Sequence, residues 1–158
     1  MGKVTGLFIA AKPGDPMRTV EAVRAFFNLG LEGDRYHYGR KHGDEVCHGV
    51  TLFSEEAHTK ANAALIHRGI GPYGPHEIRR NIMIAGIEDM TVLVGKDFSV
   101  GSVRMRGIEP CEPCMRPARL LERGDGALFM INFAGRAGIR AQVLTDGEIR
   151  LEDEVRGA

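Results

Sequence analysis

At 158 residues, 43% hydrophobic and 27% charged, the chain can bury a core without disulfide or metal staples, and one domain over residues 1–158 is expected. Its 21 basic and 21 acidic side chains cancel, which argues against a nucleic-acid binder that draws affinity from phosphate neutralisation. No apolar stretch approaches the roughly 20 residues needed to cross a bilayer, so no membrane partner is expected. Three cysteines is an odd number, and no apolar signal-like segment opens the chain. Reduced thiols and a cytoplasmic location are the expectation.

In chain order, Val4 to Ala10 reads as a first strand, closed by a Pro13-Gly14-Asp15-Pro16 turn. Met17 to Phe27 is ambiguous: Val20, Val23 and Phe27 have helical spacing, yet β-branched residues and strand-rich surroundings oppose it. His48 to Phe53 reads as a strand running into the best helix of the chain. Ser54 is its N-cap, Glu55 and Glu56 suit the positive end of its dipole, and Ala57, Ala61, Ala64 and Leu65 share a face. Gly69 stops it near residue 68.

Gly71 to Glu77 is a Gly/Pro loop. Asn81 to Ala85, Thr91 to Val94, Asp97 to Val100 and Val103 to Gly107 read as short strands between glycines. Pro117 to Glu122 reads as a short helix, with proline at its first position. Ile139 to Leu144 and Glu148 to Leu151 flank Asp146-Gly147, a strong hairpin signal. Many short strands with one or two helices indicate a mainly β (α+β) fold, a closed β-barrel with helical insertions.

The chemistry concentrates at Cys111-Glu112-Pro113-Cys114, followed by Arg116 and Arg119. Thiolate is the nucleophilic and metal-binding form of cysteine, and nearby cations or a helix start favour it. Cys114, just before the short helix, is therefore the first candidate. Cys-x-x-Cys alone leaves three readings open: inert packing, half a metal site, or reactive thiols. Further ligands for a zinc site would come from Cys47, His48, His42 or His37. The basic groups Arg79-Arg80 and Arg35 to Lys41 are solvated surface unless they line an anion pocket.

Four motifs in fixed order carry a resemblance. They are Gly30-Leu31-Glu32-Gly33-Asp34-Arg35; Val50 to Ala57; Arg80-Asn81-Ile82 with Val94 to Phe98; and Cys111 to Cys114 ahead of Gly135-Arg136-Ala137-Gly138 and Asp146 to Ile149. Together they resemble the MOSC domain, named for the C-terminal domain of molybdenum-cofactor sulfurase, in its small standalone form. The resemblance runs from Val4 to Val155 and implies a barrel of the pyruvate-kinase-barrel type with helices around it.

It also implies that one cysteine carries sulfur as a persulfide or ligates the molybdenum of the molybdenum cofactor. The matching position is Cys114, with Cys111 resolving or tuning it. Asp34, Arg35, Arg80, Asn81 and Arg136 are the implied cofactor-binding residues. Arg35, Arg80 and Arg136 are expected to converge around the Cys114 loop, because arginine forks match phosphate oxygens. Alternatively, Asp34 pairs with Arg35 in a tight turn at Gly33. Ala137 stands where the family tends to have a second glycine.

The implied partners are a sulfur donor such as a cysteine desulfurase, or a molybdoenzyme. Sulfur transfer and reduction of a small substrate are both open as activities. Pyridoxal phosphate belongs to fused relatives with an aminotransferase-like domain, and no residue here supports it. A binding module for a pterin or other anion that does not use the cysteines, and a zinc-stabilised structural domain, are the rival readings.

Overall fold

The computed structural model describes residues 1–36 and 49–157. Its strands are β1 (Gly2–Ile9), β2 (Arg18–Thr19), β3 (Ala22–Phe26), β4 (Gly30–Leu31), β5 (Val50–Ser54), β6 (Ile82–Ala85), β7 (Asp97–Val100), β8 (Val103–Pro110), β9 (Ile139–Val143), β10 (Gly147–Arg150) and β11 (Glu154–Gly157). Among the described residues, helices run over α1 (Glu55–His67), α2 (Arg116–Leu120) and α3 (Gly126–Phe133), with a 3₁₀ turn at Met90–Leu93.

Seven strands close into a mixed barrel in the order β1-β6-β5-β9-β8-β7-β11, and β11 returns to β1 through Gly2↔Val155 and Lys3↔Glu154. Among the described strands only β5 and β6 run parallel, as a strand–helix–strand crossover through α1 demands. The mainly β architecture with helical insertions is the one the strand pattern indicates.

The barrel interior is filled by Val4, Leu7, Val50, Leu52, Ile82, Ile84, Phe98, Met105, Ile139 and their neighbours. In β1, Val4 and Leu7 both face inward although they are three residues apart. A register shift against β6 between Val4 and Gly6 changes the alternation, as a β-bulge does. β5 is buried along its whole length. Its Leu52 serves the barrel core, while Phe53 serves a second core under the helices with Ala61, Leu65, Tyr73, Phe129 and Phe133.

α1 forms as its sequence indicates: the Ser54 Oγ accepts from Ala57 N at 3.1 Å, and Gly69 follows the last turn with φ of 75°. The ambiguous stretch resolves as β2 and β3, and β3 alternates buried Val23 and Ala25 with exposed Arg24.

Two expectations are corrected. Thr91 to Val94 is not a strand: Met90–Leu93 form a 3₁₀ turn capped by Asp89, whose Oδ1 accepts from Thr91 N at 3.0 Å. Asp146-Gly147 does not join a hairpin, because both edges of β9 are taken by β5 and β8. β10 instead pairs with β3, which pairs on its other edge with β4, in a separate three-stranded sheet. There Asp146 Oδ1 accepts from Phe27 N at 2.6 Å. α3 was not legible in the sequence, since Gly-Ala-Leu-Phe-Met-Ile-Asn-Phe is apolar nearly all round and has no helical stripe.

Gly138, at the end of the α3–β9 turn, has φ of 89°, and a Cβ there would lie 2.1 Å from the Leu52 carbonyl oxygen. Its own carbonyl accepts from Cys111 N at 2.8 Å. This close approach holds the Cys111 loop against β5. We expect Gly138→Ala to cost about 3 kcal/mol or more, because the overlap is with backbone and cannot rotate away. A shift of the denaturant midpoint by less than about a third of that would show that the loop is not pinned there.

Candidate functional site

Cys114 lies beyond the C-terminal end of β8, one residue before Met115, the N-cap of α2. α2 starts with Arg116-Pro117, as the sequence indicates, but it is only five residues long. A helix this short adds little macrodipole. The positive field around Cys114 therefore comes from side chains. Cys114 is exposed, whereas Cys111 is 5% exposed. Burial pushes the Cys111 thiol pKa up, outweighing the lowering by Arg80 and Arg140.

Cys114 lines a cavity of about 200 Å³ whose wall includes Arg35, Arg79, Arg80, Arg116 and Arg140, with Glu112 as the one carboxylate among the described residues. Phe129 and Phe133 of α3 supply an apolar side. These arginines come from four places in the chain.

Arg35 is fixed by Asp34. The fully buried Asp34 accepts from Ala10 N and from Arg35 Nη1, each at 3.1 Å. Arg35 Nη1 also donates to Met17 Sδ at 3.2 Å, and its Nη2 donates to the Arg79 carbonyl at 3.2 Å. The turn-and-ion-pair alternative for Gly33 to Arg35 is thus what forms, and it aims Arg35 into the cavity. Arg35 also lies 4.4 Å over the Tyr36 ring. Burial raises the Tyr36 pKa, but Arg35 and Arg140 outweigh it and the net shift is downward.

Arg79 and Arg80 face the same cavity although they are consecutive, which an extended strand forbids. The cause is the left-handed backbone of Arg79, with φ of 63°. For a residue other than glycine this conformation costs about 1–3 kcal/mol. Arg79 is 8% exposed; its Nη1 donates to the Asp15 carbonyl at 2.7 Å, and its buried Nη2 has no hydrogen-bond partner among the described residues. Burial, followed by the charges of Arg35 and Arg116, lowers its pKa. Arg80 Nε donates to the Ala137 carbonyl at 2.8 Å and its Nη2 to the Glu112 carbonyl at 3.4 Å.

A latch behind the cavity sets the position of α3. The Tyr73 hydroxyl donates to Asp125, which also pairs with Arg123 at 2.7 Å, while Arg123 stacks 3.8 Å above the Tyr73 ring. Tyr73 and Phe129 ring centroids are 4.5 Å apart.

Two candidates lie elsewhere. Arg136 does not join the others: its Nη1 donates back to the Asn132 carbonyl at 3.3 Å, and it lines a separate hollow with Glu88 and Thr91. The Ala137 carbonyl occupies the side of that turn that faces Arg80. Asn81 is fully buried and presents nothing to a ligand. Its Oδ1 accepts from Thr51 N and Oγ1, each at 3.1 Å, and its Nδ2 donates to the Phe8 carbonyl at 3.1 Å.

Arg140, on β9, carried no signal in the sequence. Arg79 did carry one, as half of a basic pair, but it resembled solvated surface. Cys47, His48, His42 and His37 lie outside the described residues. Among the described residues, no group of three or more His, Cys, Asp or Glu side chains is placed to hold a metal ion. No helix among them is long and apolar enough to cross a membrane.

A closed seven-strand barrel with a thiol at the edge of an arginine-walled cavity is the class of structure at hand. The family model for the MOSC domain matches residues 34–156, and the chain belongs to that family. Similar solved structures are the YuaD protein from Bacillus subtilis and two YiiM proteins. YuaD matches with a TM-score of 0.79 and 19% identity over 98% of this chain and 94% of its own. YiiM from Geobacillus stearothermophilus gives 0.71 and 15% identity over 100% of this chain and 75% of its own. YiiM from Escherichia coli gives 0.67 and 17% over 99% and 69%. At these identities the likeness is one of fold. No curated protein matches the sequence.

Two outcomes are expected from the geometry. Burial both raises the Cys111 thiol pKa and shields it from a reagent, whereas Cys114 is exposed. Cys114 should therefore alkylate clearly faster than Cys111 in mass-spectrometric mapping. Equal rates in the folded protein would contradict the placement. Asn81→Ala strips partners from Thr51 N–H and the Phe8 carbonyl, and should cost roughly 3 kcal/mol in chemical denaturation. A near-neutral result would show that Asn81 does not tie these strands together.

Proposed function

We propose that this MOSC-domain protein uses Cys114 to carry sulfur as a persulfide, or to present a thiolate to the molybdenum of a pterin cofactor. The observation that carries the reading is the exposed Cys114 thiol on the wall of a cavity with five arginines, beside a buried Cys111.

In the carrier reading, the Cys114 thiolate attacks the outer sulfur of a donor persulfide. A new S–S bond forms on Cys114, the donor's S–S bond breaks, and the donor leaves as a thiolate. Arginines around the cavity would stabilise the anionic persulfide, since guanidinium groups stay protonated throughout. Cys111, with its raised pKa, stays protonated while Cys114 is loaded and so is held back as a resolving thiol. The donor would be a persulfide-bearing protein such as a cysteine desulfurase, the acceptor a molybdoenzyme, and the setting the cytoplasm.

The residues also suit the molybdenum cofactor. A thiolate is a soft donor for molybdenum, and Arg79, whose Nη2 has no partner among the described residues, has a donor for a phosphate oxygen. When bound, the cofactor would supply two-electron reduction of a small substrate. Arg35 and Arg80 would then orient its anionic end, while Phe129 and Phe133 exclude water from one side of the cavity.

Loading with polysulfide followed by alkylation and peptide mass mapping tests the carrier arm. One added sulfur on Cys114 in the native protein and in Cys111→Ser, and none in Cys114→Ser, is the expected pattern. Molybdenum content after expression in cells competent for cofactor synthesis tests the other arm, and should fall about tenfold or more in Cys114→Ser. If neither sulfur nor molybdenum depends on Cys114, the reading is wrong and only an anion-accepting cavity is left.

A further inference from the structure

A second cavity of about 160 Å³ adjoins the arginine-walled one, between the turn after β1, the 71–79 loop and α2. Its walls are chiefly hydrocarbon, from Pro16, Met17, Pro117, Leu120 and Leu121. Met17 is buried, but Leu120 and Leu121 remain 41% and 37% exposed. Arg79 and Pro117 belong to both cavities, so the two share a wall. Neither alone reaches the roughly 300 Å³ at which small-molecule sites begin; together they pass it.

The two chambers differ in chemistry. One gathers guanidinium groups around Cys114, and the other is a mainly apolar slot that His76 and Glu77 line on one side. Arg79 stands at their junction, with Nη1 spent on the Asp15 carbonyl and a buried Nη2 that has no partner among the described residues. Buried guanidinium nitrogens are ordinarily satisfied, so this donor marks where an acceptor atom of a ligand belongs.

We infer that the two cavities form one bipartite site for a small molecule with an oxyanion head and an apolar tail of about ring size. The head lies among Arg35, Arg79 and Arg80 beside Cys114, and accepts a hydrogen bond from Arg79 Nη2. The tail lies between Met17 and the α2 leucines, and Pro117 forms the step between them. The inference rests on the reading of the arginine-walled cavity as an anion site, and it adds the class of molecule that cavity admits.

Calorimetric titration of the native protein with inorganic phosphate (head alone) and with phenyl phosphate (head and tail) tests it. Burying about 55 Å² of apolar surface corresponds to about tenfold in affinity, and a phenyl group offers more than that. Phenyl phosphate should therefore bind at least about tenfold tighter than phosphate. In Leu121→Ser and in Leu120→Gln, both at partly exposed positions, that advantage should fall below about threefold while the phosphate affinity stays unchanged. Equal affinity of the two probes in the native protein, or an undiminished advantage in both variants, overturns the bipartite site and leaves the anion site standing. If phosphate does not bind at all, the anion reading and this inference fall together.

Discussion

The Asn81 side chain is the tie on which the site depends. One carboxamide joins the Phe8 carbonyl of β1 to the N–H and hydroxyl of Thr51 in β5, at the point where the chain enters β6. The three groups are buried, so each unmade bond would cost a full desolvation penalty, and the strands are held in one register. Arg79 and Arg80 leave the barrel immediately before this clasp. Their direction, including the left-handed turn at Arg79, follows from where Asn81 is anchored.

The second constraint is electrostatic. Five arginines share one small cavity, and the donors they spend go mostly to uncharged acceptors: the carbonyls of Arg79, Asp15, Ala137 and Glu112, and the Met17 sulfur. Such partners satisfy hydrogen bonding without neutralising charge. Among the described residues, the ion pairs on this wall are Asp34 with Arg35 at 3.1 Å and Glu109 with Arg140 at 3.6 Å. The described residues of the wall therefore carry a net positive charge although the whole chain has a formal charge of zero. The net charge of the whole chain says nothing about this local field.

Where elements follow from short-range rules, the sequence shows them plainly. Ser54, the following glutamates and Gly69 mark α1 to within a residue or two. Asp97–Val100 and Val103–Pro110 alternate buried and exposed positions as half-buried strands do. Thr91 to Val94 misled because β-branched residues favour strands only if a neighbouring strand is there to pair with, and an Asp89 cap closed a 3₁₀ turn first. The Asp146-Gly147 signal failed because β9 had both edges occupied, which no local pattern reveals. Arg136 and Arg80 look alike as arginines in polar motifs. Only the packing of the α3–β9 turn sends one to the cavity and the other away from it.

The sequence by itself determined the barrel class, the helix after β5, and the cysteine pair ahead of a short proline-started helix, because caps, alternation and turn residues act over a few positions. It also carried the family motifs that place Cys114. The tertiary structure alone decided that Cys111 is buried and Cys114 exposed, that Asn81 is a clasp rather than a ligand donor, and that Arg79, Arg116 and Arg140 join Arg35 and Arg80. Those outcomes depend on which residues distant in sequence share a wall. That is set by barrel closure and by desolvation of buried groups, neither of which any short window of sequence contains.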